Sequence, residues 1–280
     1  MPGMTLHRVT LPEVELRYRV HGSGPDVLLL HGWISSGRMW QPLMAALGGH
    51  FRLWAPDLAG FGDSPLPADG PPRLSLADHA RHIRAFCRAL DVRPYAVVGH
   101  SLGGLLTLHL ALEYPDLMER LVLISPVVSG RLWPVVLLRG GVGHWLLGIV
   151  RRLWPLPVMA LGPSVFAFAP RHLFSEAARR KAEDAQKASR RAAVDGLQIV
   201  LETDYSARLP EIDKPTLVIV GTRDITVPPT EGELAAARIP GARLVKLPGV
   251  AHQVTDEAPD EVHRLLLEFL APALLEMPHD

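Results

Sequence analysis

Ser101 stands in Gly99-His100-Ser101-Leu102-Gly103, between an apolar run (Tyr95-Ala96-Val97-Val98) and an apolar helix-like stretch from Leu102 to Tyr114. A serine on a sharp strand-to-helix turn needs glycines on both sides, because side chains there would collide with the neighbouring strand and helix. Gly99 and Gly103 meet that need. The turn exposes the hydroxyl at the carboxyl end of its strand, where open α/β sheets place their sites, and the next helix points its amides at developing negative charge. Ser101 therefore reads as a nucleophile. A neutral hydroxyl is weak in that role: it needs a base within hydrogen-bond reach, and the base needs a carboxylate to fix its tautomer and stabilise its charged form.

Two further motifs end strand-like runs. Val27-Leu28-Leu29-Leu30 leads into His31-Gly32-Trp33, and Arg52 to Ala55 precedes Asp57-Leu58-Ala59-Gly60-Phe61-Gly62-Asp63-Ser64. With these and the serine turn in this order, the chain resembles the α/β-hydrolase family, in its serine-hydrolase, carboxylesterase-like branch. The resemblance implies an acid and a histidine after the serine, in that order. Asp224, in Gly221-Thr222-Arg223-Asp224 with Val227-Pro228 close behind, resembles the family's acid loop, and His252 follows the run Leu244 to Leu247 and a Pro248-Gly249 turn. Both fall at carboxyl ends of strands, as Ser101 does. The alternative acid position, after the run Leu121 to Ile124, holds Ser125-Pro126-Val127 and no carboxylate.

Acyl transfer passes through an oxyanion, which a pair of fixed backbone N–H donors can stabilise by several kcal/mol. Leu102, directly after the serine, is one expected donor, and the resemblance makes Trp33 the other. The Trp33 side chain is a candidate pocket wall. His31 and His100 are expected to border the site as packing or hydrogen-bonding residues, and Asp57 and Asp63 resemble the family's structural loop residues, expected to organise that loop.

Serine instead of aspartate at position 101 argues against the branches that form an alkyl ester on a carboxylate. The branch that cleaves carbon–carbon bonds of diketone-type substrates commonly has Asn before the serine and Trp after the histidine, where this chain has His100 and Gln253. The expected activity is hydrolysis of a carboxylic ester through an acyl-enzyme. Carbon–carbon hydrolysis is the alternative, and a non-catalytic small-molecule receptor of the same fold is a third reading. Trp133, Trp154, Met159, Phe166 and Phe168 are candidate pocket residues and favour a hydrophobic acyl group.

The elements that must position these groups alternate. Val14, Leu16, Tyr18 and Val20 interleave with charged residues, which predicts a half-buried antiparallel strand at the sheet edge. The later strands, Val27 to Leu30, Arg52 to Ala55, Ala96 to Val98, Leu121 to Ile124, Leu217 to Val220 and Leu244 to Leu247, are short runs expected to be buried on both faces. Ser75-Leu76-Ala77-Asp78 opens a helix with a capping box, and Pro115 stops the helix after Ser101. Strands alternating with helices predict a mostly parallel twisted sheet flanked by helices. After Ser125-Pro126 about 85 residues pass before Lys214-Pro215-Thr216 restarts the strand pattern, too long for a bare loop. Phe174 to Leu201 has the composition of exposed helices. The expected domains are a core over 1–125 and 211–280 and a helical cap inserted over 126–210.

The chain has 280 residues, with 29 lysines and arginines against 29 aspartates and glutamates. Zero net charge advertises no nucleic-acid partner. The single cysteine, Cys87, is expected in the core and cannot form an internal disulfide, which fits a cytoplasmic protein. The N-terminus has no charged region followed by an apolar stretch, so no secretory signal is expected. Arg139, His144 and Pro134 interrupt the most apolar segment and make it a poor membrane span. No metal-ligand spacing and no phosphate loop appear, so neither metal nor cofactor is expected. The expected partner is a small-molecule ester, and the expected assembly a monomer or homodimer.

Overall fold

In the computed structural model, which describes residues 4–67, 70–130 and 167–271, eight strands alternate with helices. The strands are β1 (His7–Thr10), β2 (Glu15–His21), β3 (Asp26–Leu30), β4 (Arg52–Pro56), β5 (Pro94–His100), β6 (Arg120–Ile124), β7 (Thr216–Gly221) and β8 (Arg243–Leu247). The α-helices are α1 (Gln41–Leu47), α2 (Leu76–Ala89), α3 (Leu102–Glu113), α4 (Glu176–Lys187), α5 (Arg190–Glu202), α6 (Pro229–Arg238), α7 (Val254–Glu257) and α8 (Pro259–Leu270). The strands form one sheet in the order β1-β2-β4-β3-β5-β6-β7-β8. β2 pairs antiparallel with β1 and β4, and every other pairing is parallel.

Alternation along the central strands sends side chains to two cores. Leu28, Leu30, Val97, Leu121, Leu123, Val218 and Val220 face the core that also holds Ile83 and Phe86 of α2, Leu105 of α3 and Ala235 of α6. Val27, Leu29, Ala96, Val98, Val122, Ile124, Leu217 and Ile219 face Leu43 and Met44 of α1 and Val262 and Leu265 of α8. Each fully buried Leu, Val or Ile contributes about 1.5–3 kcal/mol, so this two-faced burial fixes the strand order and register. α3 is apolar on all sides because it lies inside the first core. The Ser75 box forms as expected: Ser75 Oγ accepts from Asp78 N, and Asp78 Oδ2 accepts from Ser75 N at 2.6 Å. Cys87 is buried in the first core.

Two strands differ from their expected places. β2 is not the edge: the short β1 pairs with its first half, Glu15 to Tyr18, while its second half pairs with β4, so its backbone groups find partners on both sides. β8 is not buried on both faces. It closes the opposite edge with Arg243 and Lys246 exposed, as an edge strand with one neighbour permits.

Between β6 and β7 lie α4 and α5, each capped by a serine: Ser175 Oγ accepts from Ala178 N and Ser189 Oγ from Ala192 N, both at 3.1 Å. Ala185, Ala188, Ala192, Ala193, Ile199 and Val200 of this cap join the first core. Its two stems are pinned by carboxylates. Glu231 of α6 accepts from Val128 N and Ser129 N where the chain leaves β6. Glu257 of α7 accepts from Ala169 N with one oxygen and from Ala251 N with the other.

Candidate active site

The chain crosses from β4, on one side of β3, to β5 on the other, so direction reverses at the β3–β5 pair. The carboxyl ends of such a pair leave a crevice between diverging loops. Ser101 follows β5 with φ 56 and ψ −115, a left-handed conformation costly for a serine. The surroundings force it. A Cβ at position 99 would strike the Gly103 carbonyl and Thr107 Oγ1, and one at 103 the Leu30 carbonyl, so glycine is required on both sides. Ser101 N donates to the Ile124 carbonyl at 3.0 Å, which anchors the turn to β6. As the first residue of α3, Leu102 has an N–H with no partner inside the helix.

Asp224 follows β7 and His252 follows β8. Asp224 Oδ1 accepts from the backbone N–H groups of Thr226 and Val227, at 2.9 and 2.8 Å, which leaves Oδ2 aimed at the histidine. His252 Nδ1 donates to that oxygen at 2.7 Å, with both side chains almost fully buried. This bond puts the proton on Nδ1 and leaves Nε2 as an acceptor. Gly221 lets the two loops touch, since a Cβ there would strike the carbonyls of Val250 and Ala251. Ser101, His252, Gly32, Trp33, Ile34, His100, Ala167, Lys181, Thr226 and Gln253 line one small cleft of about 60 Å³.

The flanking histidines hold backbone, as expected. His31 Nδ1 lies 2.8 Å from the Gly32 carbonyl, and its Nε2 accepts from Leu58 N at 2.9 Å, which makes it the neutral Nδ1–H tautomer. Burial pulls its pKa down to about 4. His100 Nε2 donates to the His252 carbonyl at 2.9 Å, and burial holds its pKa well below the ordinary value. Asp57 organises its loop: it accepts from Gly37 N and Asp63 N, at 2.7 and 2.9 Å, and pairs with Arg19.

Trp33 lines the cleft, and its indole Nε1 donates to the Ala193 carbonyl of α5 at 2.7 Å. Phe168 packs instead with Ala167 and Ala178 in a small apolar cluster, and it is Ala167 that reaches the cleft. Trp133, Trp154, Met159 and Phe166 lie outside the described residues. Lys181 of α4 was not foreseen. An Ala-, Arg- and Glu-rich helix suggests a solvent face, yet Lys181 is 8 % exposed and borders the cleft. The signal was the spacing Ala178, Lys181, Ala185, Ala188, an inward stripe of small residues with the lysine set in it.

A larger depression of about 430 Å³ lies at the far ends of α2 and α3, lined by Arg84, Cys87, Arg93, Glu113 and Tyr114 among others. Its thiol is inert, because burial pushes Cys87 up to about 12. Among the described residues no group of histidines, cysteines and carboxylates could hold a metal ion, and no helix is long and apolar enough to cross a membrane.

Comparison with known proteins agrees with this architecture. The family described as alpha/beta hydrolase fold matches residues 25–259. A "Putative carbamate hydrolase RutD" of Agrobacterium fabrum is 30% identical over 277 residues, covering 92% of this chain and 99% of that protein. The crystal structure of a hydrolase from Pseudomonas aeruginosa superposes with a TM-score of 0.85 at 30% identity, over 95% of this chain and 98% of the other. An enol-lactonase from Burkholderia xenovorans, at 23% identity, has a TM-score of 0.83 over 95% of this chain and the whole of its own, and shows the fold alone. The chain belongs to the α/β-hydrolase fold family and is a hydrolase.

Proposed function

We propose that this hydrolase cleaves a carboxylic ester through an acyl-enzyme on Ser101. The carrying observation is the 2.7 Å bond from His252 to Asp224 in the cleft that Ser101 enters from its strained turn. His252 Nε2 takes the proton as Ser101 Oγ attacks the ester carbonyl, and the buried Asp224 carboxylate stabilises the imidazolium that forms. The oxyanion is met by the N–H groups of Leu102 and Trp33. Collapse expels the alcohol with the proton from His252. A water, deprotonated by the same nitrogen, then attacks the acyl-serine and releases the acid. Trp33, Ile34 and Ala167 give the cleft apolar walls, which suits a hydrophobic acyl group. Ala167 and Lys181 of the insertion border it, which supports reading 1–125 and 211–280 as the catalytic core and 126–210 as the substrate-facing insertion.

A fluorophosphonate should label wild-type protein once and leave Ser101→Ala unlabelled, as read by intact mass. A panel of p-nitrophenyl esters of graded chain length then tests the substrate class, run beside an aryl carbamate and a vinylogous diketone. We expect kcat/KM to rise with chain length and then fall, at about fourfold per methylene while the pocket fills. Preference for the diketone would replace ester by carbon–carbon hydrolysis, and labelling without turnover of any substrate would favour the receptor reading.

A further inference from the structure

The loop after β3, which presents Trp33, is fastened to the cap by side chains the ester mechanism does not use. Lys181 Nζ donates to the Trp33 carbonyl at 2.7 Å and to the Ile34 carbonyl at 3.2 Å. Ser36 Oγ donates to Asp184 Oδ2 at 2.8 Å, and Arg38 reaches Asp184 and Glu183 at 3.2 and 3.0 Å. Ile34 has φ 43, a left-handed conformation that is an outlier for a β-branched residue. Successive carbonyls of an extended chain point to opposite sides; at this kink both converge on one ammonium. The lysine compensates the kink, and the kink gives the lysine two acceptors.

No carboxylate lies within hydrogen-bond distance of this ammonium among the described residues. Asp184 is taken by Ser36 and Arg38, and Asp256 of α7 by Arg180 at 2.7 Å. A buried cation without a contacting counter-ion, beside a serine turn, stabilises a negative charge formed there, because attraction between charges is stronger among buried groups than in bulk water.

We propose that Lys181 is a positioning residue for the oxyanion site: by holding the Trp33 and Ile34 carbonyls it fixes the backbone that carries Trp33 N–H, and it sets a positive charge beside the developing oxyanion. The inference rests on the acyl-enzyme reading of Ser101. It makes the cap a part of the rate-determining machinery as well as a cover for substrate.

The charge titrates. Burial pulls the lysine down to about 8, against the pull of the Asp184 and Asp256 carboxylates and with a push from Arg180. The other groups facing it are His31 and His100, both held neutral by burial, and His252 across the cleft. A cation with a lowered pKa acts below that value and is lost above it. Activity should therefore fall as pH rises through about 8.

The test is steady-state hydrolysis of p-nitrophenyl butyrate by wild type, Lys181→Met and Lys181→Arg from about pH 6 to about pH 10, with thermal melting and fluorophosphonate labelling of each. We expect Lys181→Met to lose about 100-fold in kcat with KM within about threefold, the size of effect seen when one oxyanion donor is removed. Lys181→Arg should recover most of that loss and lack the alkaline limb near pH 8. Wild-type kcat in a folded, labelled Lys181→Met protein would overturn the proposal. So would a loss confined to KM, which would make the lysine a substrate-binding group. If Lys181→Met does not fold, the arginine variant decides: an alkaline limb unchanged near pH 8 overturns the proposal, and its disappearance supports it. Failure of wild type to label at Ser101 would instead sink the acyl-enzyme reading itself.

Discussion

The sheet and the cap meet at the cleft, and they are held by different forces. In β3, β5, β6 and β7 nearly every side chain is buried and apolar, and the register follows from which face each occupies. The cap helices α4 and α5 also place Ile199 and Val200 in that core, but they bury Lys181, Asp184 and Asp195 beside them and add polar contacts to Trp33, Ile34, Ser36 and Leu74. Hydrophobic burial is non-directional and tolerates small shifts, whereas a buried hydrogen bond is lost within a few tenths of an ångström. The core therefore supplies a platform, and the cap sets the position of the loop after β3 that lines the cleft.

Four measurements can break this division or sharpen it. The largest effect belongs to the platform's strand ends. Ser101→Ala and His252→Ala should each lower kcat/KM by about 10⁴-fold or more, and the double variant should add little, because the groups act as a unit. Asp224→Asn should be severe but smaller, and near-wild-type turnover in that variant would move the acid elsewhere. Next come paired substitutions on the two sides of the cleft. Gly103→Ala drives a methyl into the Leu30 carbonyl and should destabilise the fold by about 3 kcal/mol or more in urea melts. Asp184→Asn weakens a cap contact to Ser36 and Arg38, and should cost about 1–2 kcal/mol while lowering kcat several-fold. If Asp184→Asn left kcat unchanged, the cap would be a cover only.

The smallest effect is acid sensitivity just below neutral pH. Burial holds His31 at about 4 and His79 at about 3, against an ordinary value of 6.5. Below 6.5 the unfolded chain takes up protons that the folded chain refuses, so stability falls as pH falls, by about 1 kcal/mol per histidine at about pH 6. The loss continues until the folded-state values are reached. Denaturant melts at several pH values check this, and a flat profile would mean that these imidazoles gain partners on protonation.

What could be read from residue order divides along the same line. Two-faced strands leave apolar runs, and the serine turn leaves glycines, because a Cβ there has nowhere to go; both marks are visible in a linear chain. The capping box at Ser75 and the Asp224 and His252 loops were legible for the same local reason. The place of β2 was not, since one strand's alternation says nothing about how many neighbours it has. Nor is the exposure of β8, because Leu244, Val245 and Leu247 look like an inner strand although Lys246 stands among them. Lys181 was hidden deeper. Its partners are backbone carbonyls about 150 positions away, and carbonyls are the same in every residue.

The two carboxylates at the roots of the insertion carry a last consequence. Glu231 grips the chain at Val128 and Ser129 on the way out, and Glu257 grips Ala169 on the way back while holding Ala251 beside His252. Glu257 therefore ties the returning chain and the loop that carries His252 to one side chain, so whatever pulls on the root of the insertion also pulls on the histidine.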